Sequence, residues 1–510
     1  MTDQIQNENR RTSTAFVVFV IAALTLSHIH QGTLGVDAIR YASISRHIVE
    51  TGTWFPLYDS YAQEVYYNKP PVLFWMVATC FKLFGYSTFS ARIIGALFTF
   101  GGMLLFWAAV RRFYSDRIAL YSIIILAANA DFFRSIVDLN FEGILLCGGA
   151  LLLHAGLNRV RNGRFCGEDR TRIVFGLVLF FITKPPVVLF VVPAYLSFEL
   201  ASMFKDETIR RILRRLFLAA VVCAAGFAVV LTLIPIDLVI NTLRRQLLEP
   251  FIFTQSYGDN LSAWVKNIFV FLIPASLVGI AAVCFPLPED RRVIPPAERR
   301  FLLLWLLPVI AVVFVTESRT RYLHIPFLAL AVLGAEYLAV IWGNTGFIWT
   351  KRVVGAAAPA LLIGIMFGLP LHGYDPVIPL LTKHPELLDA NPTVCAGGRL
   401  DGDIYAPSVK RLDLLIQFTF NRKLNVIPVE NLGQVFESDQ PTVIIANRKC
   451  VSAIEDPRWN HTVILKEPGV EVVRTGPPAV PSGNTEPSSP SLQSDKNTPE
   501  LSTDTVPAGR

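Results

Sequence analysis

Charge is scarce in this chain. Asp, Glu, Lys and Arg make up 17% of its 510 residues, against about 25% in soluble globular domains, while 52% of the residues are apolar. That balance excludes an ordinary soluble protein and predicts a polytopic membrane protein. Metal-ligand spacing is missing too. The seven cysteines are scattered, and Cys80, Cys147, Cys223 and Cys284 fall in apolar runs as small hydrophobes. His28 and His30 stand two apart, so a helix points them to different faces, and His324 is alone on its run; they spell no zinc motif. No small-residue cleavage site follows Arg10 and Arg11, so the first apolar run is expected to stay as an anchor. The net charge of +6 does not point to a nucleic-acid partner, because Lys and Arg gather at the ends of apolar runs.

Runs at 15–34, 93–110, 118–133, 141–157, 216–236, 266–285, 301–315, 322–342 and 353–370 read as bilayer crossings. Residues 72–84, VLFWMVATCFKLF, reach only about 20 Å as a helix against a hydrocarbon core of about 30 Å, which predicts an interfacial helix. The run 173–200 is interrupted by TKPP at Thr183–Pro186, either a kink or a hairpin between two crossings. Charge decides. With two crossings there, Arg10/Arg11, Arg111/Arg112/Arg117, Arg159–Arg172, Lys205–Arg215, Arg291–Arg300 and Lys351/Arg352 all fall on one side, the cytoplasmic one.

The expected fold is thus an all-α polytopic membrane protein of about 11 transmembrane helices, with interfacial helices in the first outer loop and a small C-terminal α/β extracytoplasmic domain. A cytoplasmic segment spans 1–14 and the transmembrane part 15–370, with the first outer loop at 35–92. The outer α/β domain is expected over 371–475, where TVIIA, TVILK and VEVV read as strands. A Pro-, Ser-, Thr- and Gly-rich tail, 476–510, is expected to be disordered. Cys395 and Cys450 fall in the outer domain, and the sequence leaves open whether they are bonded.

The polar loops with unusual residues collect on the outer side. Asp37–Pro71 reads DAIRYASISRHIVETGTWFPLYDSYAQEVYYNKPP. Its first half predicts a surface helix with Tyr41, Ile44 and Ile48 on one face and Arg40, Ser43, His47 and Glu50 on the other. Asp37 either caps that helix or works in a site. Lys69 precedes Pro70-Pro71 at the start of the short helix, where unpaired backbone N–H groups favour an anion; the plainer reading is a lysine reaching lipid phosphates. A second loop, DFFRSIVDLNFEG, carries Asp131, Arg134, Asp138 and Glu142 between two apolar runs, where carboxylates are costly unless paired, hydrated or useful. Lys184, Arg244/Arg245 and Arg319/Arg321 add cations. Cations with two carboxylates on one membrane face suit a phosphate-bearing lipid and an acceptor to be deprotonated.

Taken in order, DAIRYASISRHIVETGTWFPLY, YYNKPPVLFWMVATCFKLFG, SARIIGALF, VDLN, ITKPP and RYLHIPFLALAVLG resemble the successive landmarks of the bacterial protein-mannosyltransferase-like integral membrane glycosyltransferases, the group containing the lipid A aminoarabinose transferase. The resemblance covers roughly residues 15–340. It implies the C-type glycosyltransferase fold. It also implies transfer, with inversion, of one sugar from a polyprenyl phosphate to a lipid, glycan or protein acceptor at the outer face of the inner membrane. Carried over by position, Asp37 is the expected base, Asp138 the second-loop acid and Lys69 the phosphate-binding lysine. Arg244, Arg245 and Arg321 are further phosphate-binding candidates, with Arg40, Tyr41, Asn68, Lys184 and His324 in support. No cofactor is firmly implied, and a divalent metal on Asp37 and Asp138 stays open.

Two departures stand out. Ala38 occupies the place of the family's usual second acid, and Asn68 that of a common Glu. They argue against the aminoarabinose reaction on lipid A and for another sugar or acceptor. Competing readings are a flippase for lipid-linked sugars, against which the absence of internal repeats speaks, and a catalytically lapsed binding or scaffold member.

Overall fold

The computed structural model describes residues 2–26, 29, 34–60, 62–66, 68–129, 132, 138–184, 195, 240, 275–315, 324–366, 377–396, 409–420, 422, 424–437, 441–455, 459, 461–467 and 470–475. The expected crossing at 216–236, most of 185–200 and the tail 476–510 lie outside them.

Helix α1 spans Thr2–Leu26, so the helix starts within the polar first segment and ends well before residue 34. Helix α2, Val36–Thr51, carries Asp37 in its first turn and stops at Gly52, whose φ of 73° is the left-handed conformation that glycine adopts without penalty. A two-stranded hairpin follows, β1 (Tyr58–Asp59) antiparallel to β2 (Glu64–Val65). Helix α3, Val72–Phe84, is the short apolar helix of the sequence. Helix α4, Thr88–Phe113, opens on a Ser87/Ser90 capping box and closes on Arg111 and Arg112, which suit the helix dipole. Helices α5 (Asp116–Ala127), α6 (Glu142–Asn162) and α7 (Gly167–Phe181) follow, then α8 (Ala275–Cys284), α9 (Pro296–Val315) and α10 (His324–Met366).

Two apolar runs, 322–342 and 353–370, become one long element because α10 breaks at Gly343 (φ 58°) rather than in a loop. Its first half packs in the main membrane cluster through Leu328, Val332 and Leu333. Its second half sets Ala358 against Val20 and Ala23 of α1. Among the described residues, three helices are long and apolar enough to cross a membrane, Thr88–Phe113, Glu142–Asn162 and His324–Ala360. Close packing explains the small residues on α4 and α6. A Cβ on Gly143 would stand 2.5 Å from the Thr99 hydroxyl and 2.7 Å from the Gly95 carbonyl, so the two backbones approach too closely for any side chain there.

Beyond the helices, helix α11 (Val377–Lys383) leads to a five-stranded sheet in the order β4-β3-β5-β7-β6. The strands are β3 (Thr393–Ala396), β4 (Asn425–Pro428), β5 (Val443–Asn447), β6 (His461–Glu467) and β7 (Val470–Thr475). β3 runs parallel to β4 and β5, and β7 antiparallel to β5 and β6. Helix α12 (Val409–Phe420) connects β3 to β4; α13 (Leu432–Phe436) and α14 (Arg448–Ile454) flank β5. Strand alternation divides the core. Val394, Ala396, Ile445 and Val472 face α11 and α12, while Cys395, Ile444, Ala446 and Val473 face α13 and α14. A buried disulfide joins Cys395 of β3 to Cys450 of α14, with Cα atoms 6.1 Å apart.

The sheet is fastened to the first loop. Leu415 and Phe418 of α12 belong to the same apolar cluster as Ile44, Phe74 and Phe81, with the Phe81 and Phe418 ring centroids 6.0 Å apart. Arg46 of α2 donates to the Phe418 carbonyl. This packing corrects the expected polar face of α2, since Ser43 is buried with Tyr41 and Ile44. Arg40, Arg46, His47 and Glu50 keep exposure.

Candidate active site

The site is assembled from the start of α2, the hairpin and the second loop. Asp138, just before α6, accepts the Gly35 N–H on Oδ2 at 2.9 Å and the Leu139 N–H on Oδ1 at 3.0 Å. Arg92, buried in α4, brings its Nε to 3.6 Å from Oδ1. A Cβ on Gly35 would sit 2.5 Å from Asp138 Oδ2, so any side chain there would have to push the carboxylate aside. Asp138 thereby braces the entry of α2 against a membrane helix. A carboxylate holding two N–H donors and a guanidinium is suited to holding geometry.

Asp37 lies two residues beyond that brace, part-buried in the first turn of α2. One turn on, the Tyr41 ring packs edge-on against Phe74 of α3 at 5.5 Å and Phe141 at 5.3 Å. Tyr66 packs edge-on against the same Phe74 ring at 5.5 Å. Tyr66 is therefore held between the helix that bears Asp37 and the segment that bears Asn68 and Lys69, both part-buried. Burial pushes the Tyr66 phenol well above its ordinary value; Asp37 and Asp59 add to the rise and Arg40 opposes it.

Arg40 forms an ion pair with Asp59 at the end of β1, and its guanidinium carbon lies 5.2 Å from the centre of the Tyr66 ring. Burial works against the Arg40 charge, but Asp59 outweighs it and holds the group above its usual value. The Asp59 carboxylate is fully buried and its Oδ1 accepts the Ala62 N–H at 3.3 Å.

The remaining candidates are placed differently. Lys184 is part-buried just past the end of α7, its N–H bonded to the Phe180 carbonyl at 2.8 Å. His324 is buried at the start of α10, edge-on to Phe132 at 5.4 Å. Glu142 is buried at the first position of α6. Arg244, Arg245, Arg321, Asp131 and Arg134 lie outside the described residues. Among the described residues no three His, Cys, Asp or Glu side chains converge as a metal site needs. Sequence reasoning missed Gly35, Asp59, Tyr66 and Arg92. Only Arg92 carried a signal, a lone charge in the apolar run SARIIGALF that asks for an acidic partner.

Residues 68–233 match the family described as dolichyl-phosphate-mannose-protein mannosyltransferase. The undecaprenyl phosphate-alpha-4-amino-4-deoxy-L-arabinose arabinosyl transferase of Shewanella sediminis is 35% identical over 77 residues, 15% of this chain and 14% of that one. An uncharacterized protein of Aquifex aeolicus is 25% identical over 373 residues, 69% of this chain and 70% of that one. A second Aquifex aeolicus protein, also uncharacterized, is 32% identical over 108 residues, and the match spans only 24% of its length. In fold, apo ArnT from Cupriavidus metallidurans superposes with a TM-score of 0.53 at 16% identity, covering 92% of this chain and 100% of that one. The match to the mannosyltransferase family thus covers residues 68–233, a third of the chain, and the chain as a whole shares the fold of ArnT.

Proposed function

We propose that the protein transfers a single sugar, with inversion, from a polyprenyl-phosphate donor to a lipid, glycan or protein acceptor at the outer face of a bacterial inner membrane. The observation that carries this reading is the packing of Tyr41 and Tyr66 on the same Phe74 ring, which brings the hairpin that leads to Lys69 against the helix bearing Asp37. In the proposed reaction an acceptor oxygen attacks the anomeric carbon as the carbon–oxygen bond to phosphate breaks. Polyprenyl phosphate leaves with the bonding pair toward Lys69, and Asp37 takes the acceptor's proton. Attack opposite the leaving phosphate inverts the centre. Asp138 and Arg92 hold the entry of α2 in place.

The Cys395–Cys450 disulfide supports an oxidising, extracytoplasmic surrounding for the sheet. Packing of α12 on α2 supports the same side for the loop that carries Asp37. Ala38, buried at 1% exposure, and Asn68 favour a sugar or acceptor other than that in the arabinosyl transferases' name. Purified protein given short-chain polyprenyl-phosphate sugars and candidate acceptors should release polyprenyl phosphate, and Asp37→Asn should not. Equal, background release by both proteins while donor still binds sinks the reading.

A further inference from the structure

We propose that Asp59 is a positioning residue for the transfer reaction, acting through Arg40 to fix Tyr66 against the helix that bears Asp37; the inference rests on the transferase reading above. Asp59 closes β1 and pairs across the hairpin with Glu64. Tyr66 extends the same ladder, its N–H bonded to the Leu57 carbonyl at 2.8 Å. One two-stranded unit thus carries both the buried carboxylate and the buried phenol. Arg40, on α2, joins them, since its Nε meets Asp59 Oδ2 while the guanidinium lies over the Tyr66 ring.

An acid with no exposed side-chain surface is costly unless its charge is matched. Here the match comes from a residue in the helix of the proposed base. Asp37 and Arg40 are three residues apart on α2, Asp37 and Tyr41 four, so the three side chains share one turn of surface. With Asp59 in place, Arg40 cannot swing out to solvent, and the hairpin cannot slide along α2 without breaking the pair. The consequence reaches the donor end. Tyr66 is three residues before Lys69, so fixing the phenol fixes where the lysine begins its reach toward phosphate. Arg40 is 29% exposed, so loss of the Asp59 charge would let it turn from the ring toward solvent. Loss of that hold should slow the chemical step more than donor capture, because misplacement of reacting groups costs rate even where binding survives.

The test uses full-length protein in lipid nanodiscs, with tyrosines carrying carbon-13 at Cζ and the Tyr66 resonance identified by Tyr66→Phe. Asp59→Asn, which keeps the shape and removes the charge, should move the Tyr66 resonance. It should lower kcat about tenfold while the donor KM changes less than about twofold. A merely structural Asp59 would lower the melting temperature yet leave kcat and the Tyr66 resonance of the folded protein as in wild type, and that result overturns the proposal. A KM effect with kcat retained overturns it as well. Should the wild type release no polyprenyl phosphate from any donor while Asp59→Asn still shifts Tyr66, the transferase reading falls and the hold of Asp59 on Tyr66 stands.

Discussion

Gly35 and Asp138, 103 residues apart in the chain, meet backbone to side chain, with the Gly35 N–H donating to Asp138 Oδ2 at 2.9 Å. The contact leaves no room for a β-carbon. It sets the position of the first turn of α2, where Asp37 lies, and so turns the smallest residue in the loop into a determinant of the site.

Gly35→Ala should therefore separate the loop from its brace. The added methyl must push Asp138 away, at about 1–3 kcal/mol of overpacking, and polyprenyl phosphate release should fall at least about tenfold. Thermal unfolding and release assays on the same preparation check this; an active, equally stable alanine variant would refute the close approach.

Arg92→Met should strand the Asp138 charge. Removing one partner of a buried pair costs about 3–5 kcal/mol, and replacing both with apolar residues costs much less. The double variant Arg92→Met/Asp138→Asn, which removes the charge and keeps an acceptor for the Gly35 N–H, should accordingly be more stable in denaturant than Arg92→Met alone, though it should not regain activity. A double variant less stable than the single one would mean that the two side chains do not compensate each other.

Tyr66 should give the loop a high-pH weakness. Its phenol titrates above the ordinary value because burial favours the neutral form. Its contribution is therefore complete below about pH 10, where an unfolded tyrosine begins to ionise. The contribution declines as pH rises from there toward Tyr66's own higher titration. Stability followed from about pH 9 to about pH 12 should drop more steeply in wild type than in Tyr66→Phe, and parallel curves would count against the shift.

The disulfide should matter to the sheet. Cys395 and Cys450 close a separation of 55 residues, for which chain entropy suggests about 4 kcal/mol. Cys395→Ala/Cys450→Ala should unfold the sheet at lower denaturant than wild type. A maleimide mass tag should reach both thiols only after reduction and unfolding; labelling without a reductant would show that the bond is not formed in cells.

Much of this architecture was legible in the sequence, for physical reasons that differ by element. Helix α3 announces itself by being apolar yet too short to cross a bilayer, and α2 by its 3.6-residue period. β5, β6 and β7 show in their runs of Val and Ile. β3 and β4 did not show, because β3 is buried on both faces and β4 is four residues long, so neither alternates. Within the site, Asp37 and Lys69 stood out as charged residues beside apolar runs. Asp59 gives no such signal, since only the folding back of the hairpin onto α2 gives it Arg40. Ser43 was assigned to the polar face because the period of a lone helix cannot reveal a second neighbour packed against its side.

That second neighbour, α12, has a further consequence. Its Leu415 and Phe418 lie in one apolar cluster with the loop that carries Asp37, and Arg46 grips the Phe418 carbonyl. Sheet and loop are thus halves of one hydrophobic interface, so a chimera that exchanges the sheet domain with a relative's must import α12 and the facing side chains of α2 and α3 together. A graft cut at the last membrane helix alone would leave the reacting loop without its floor.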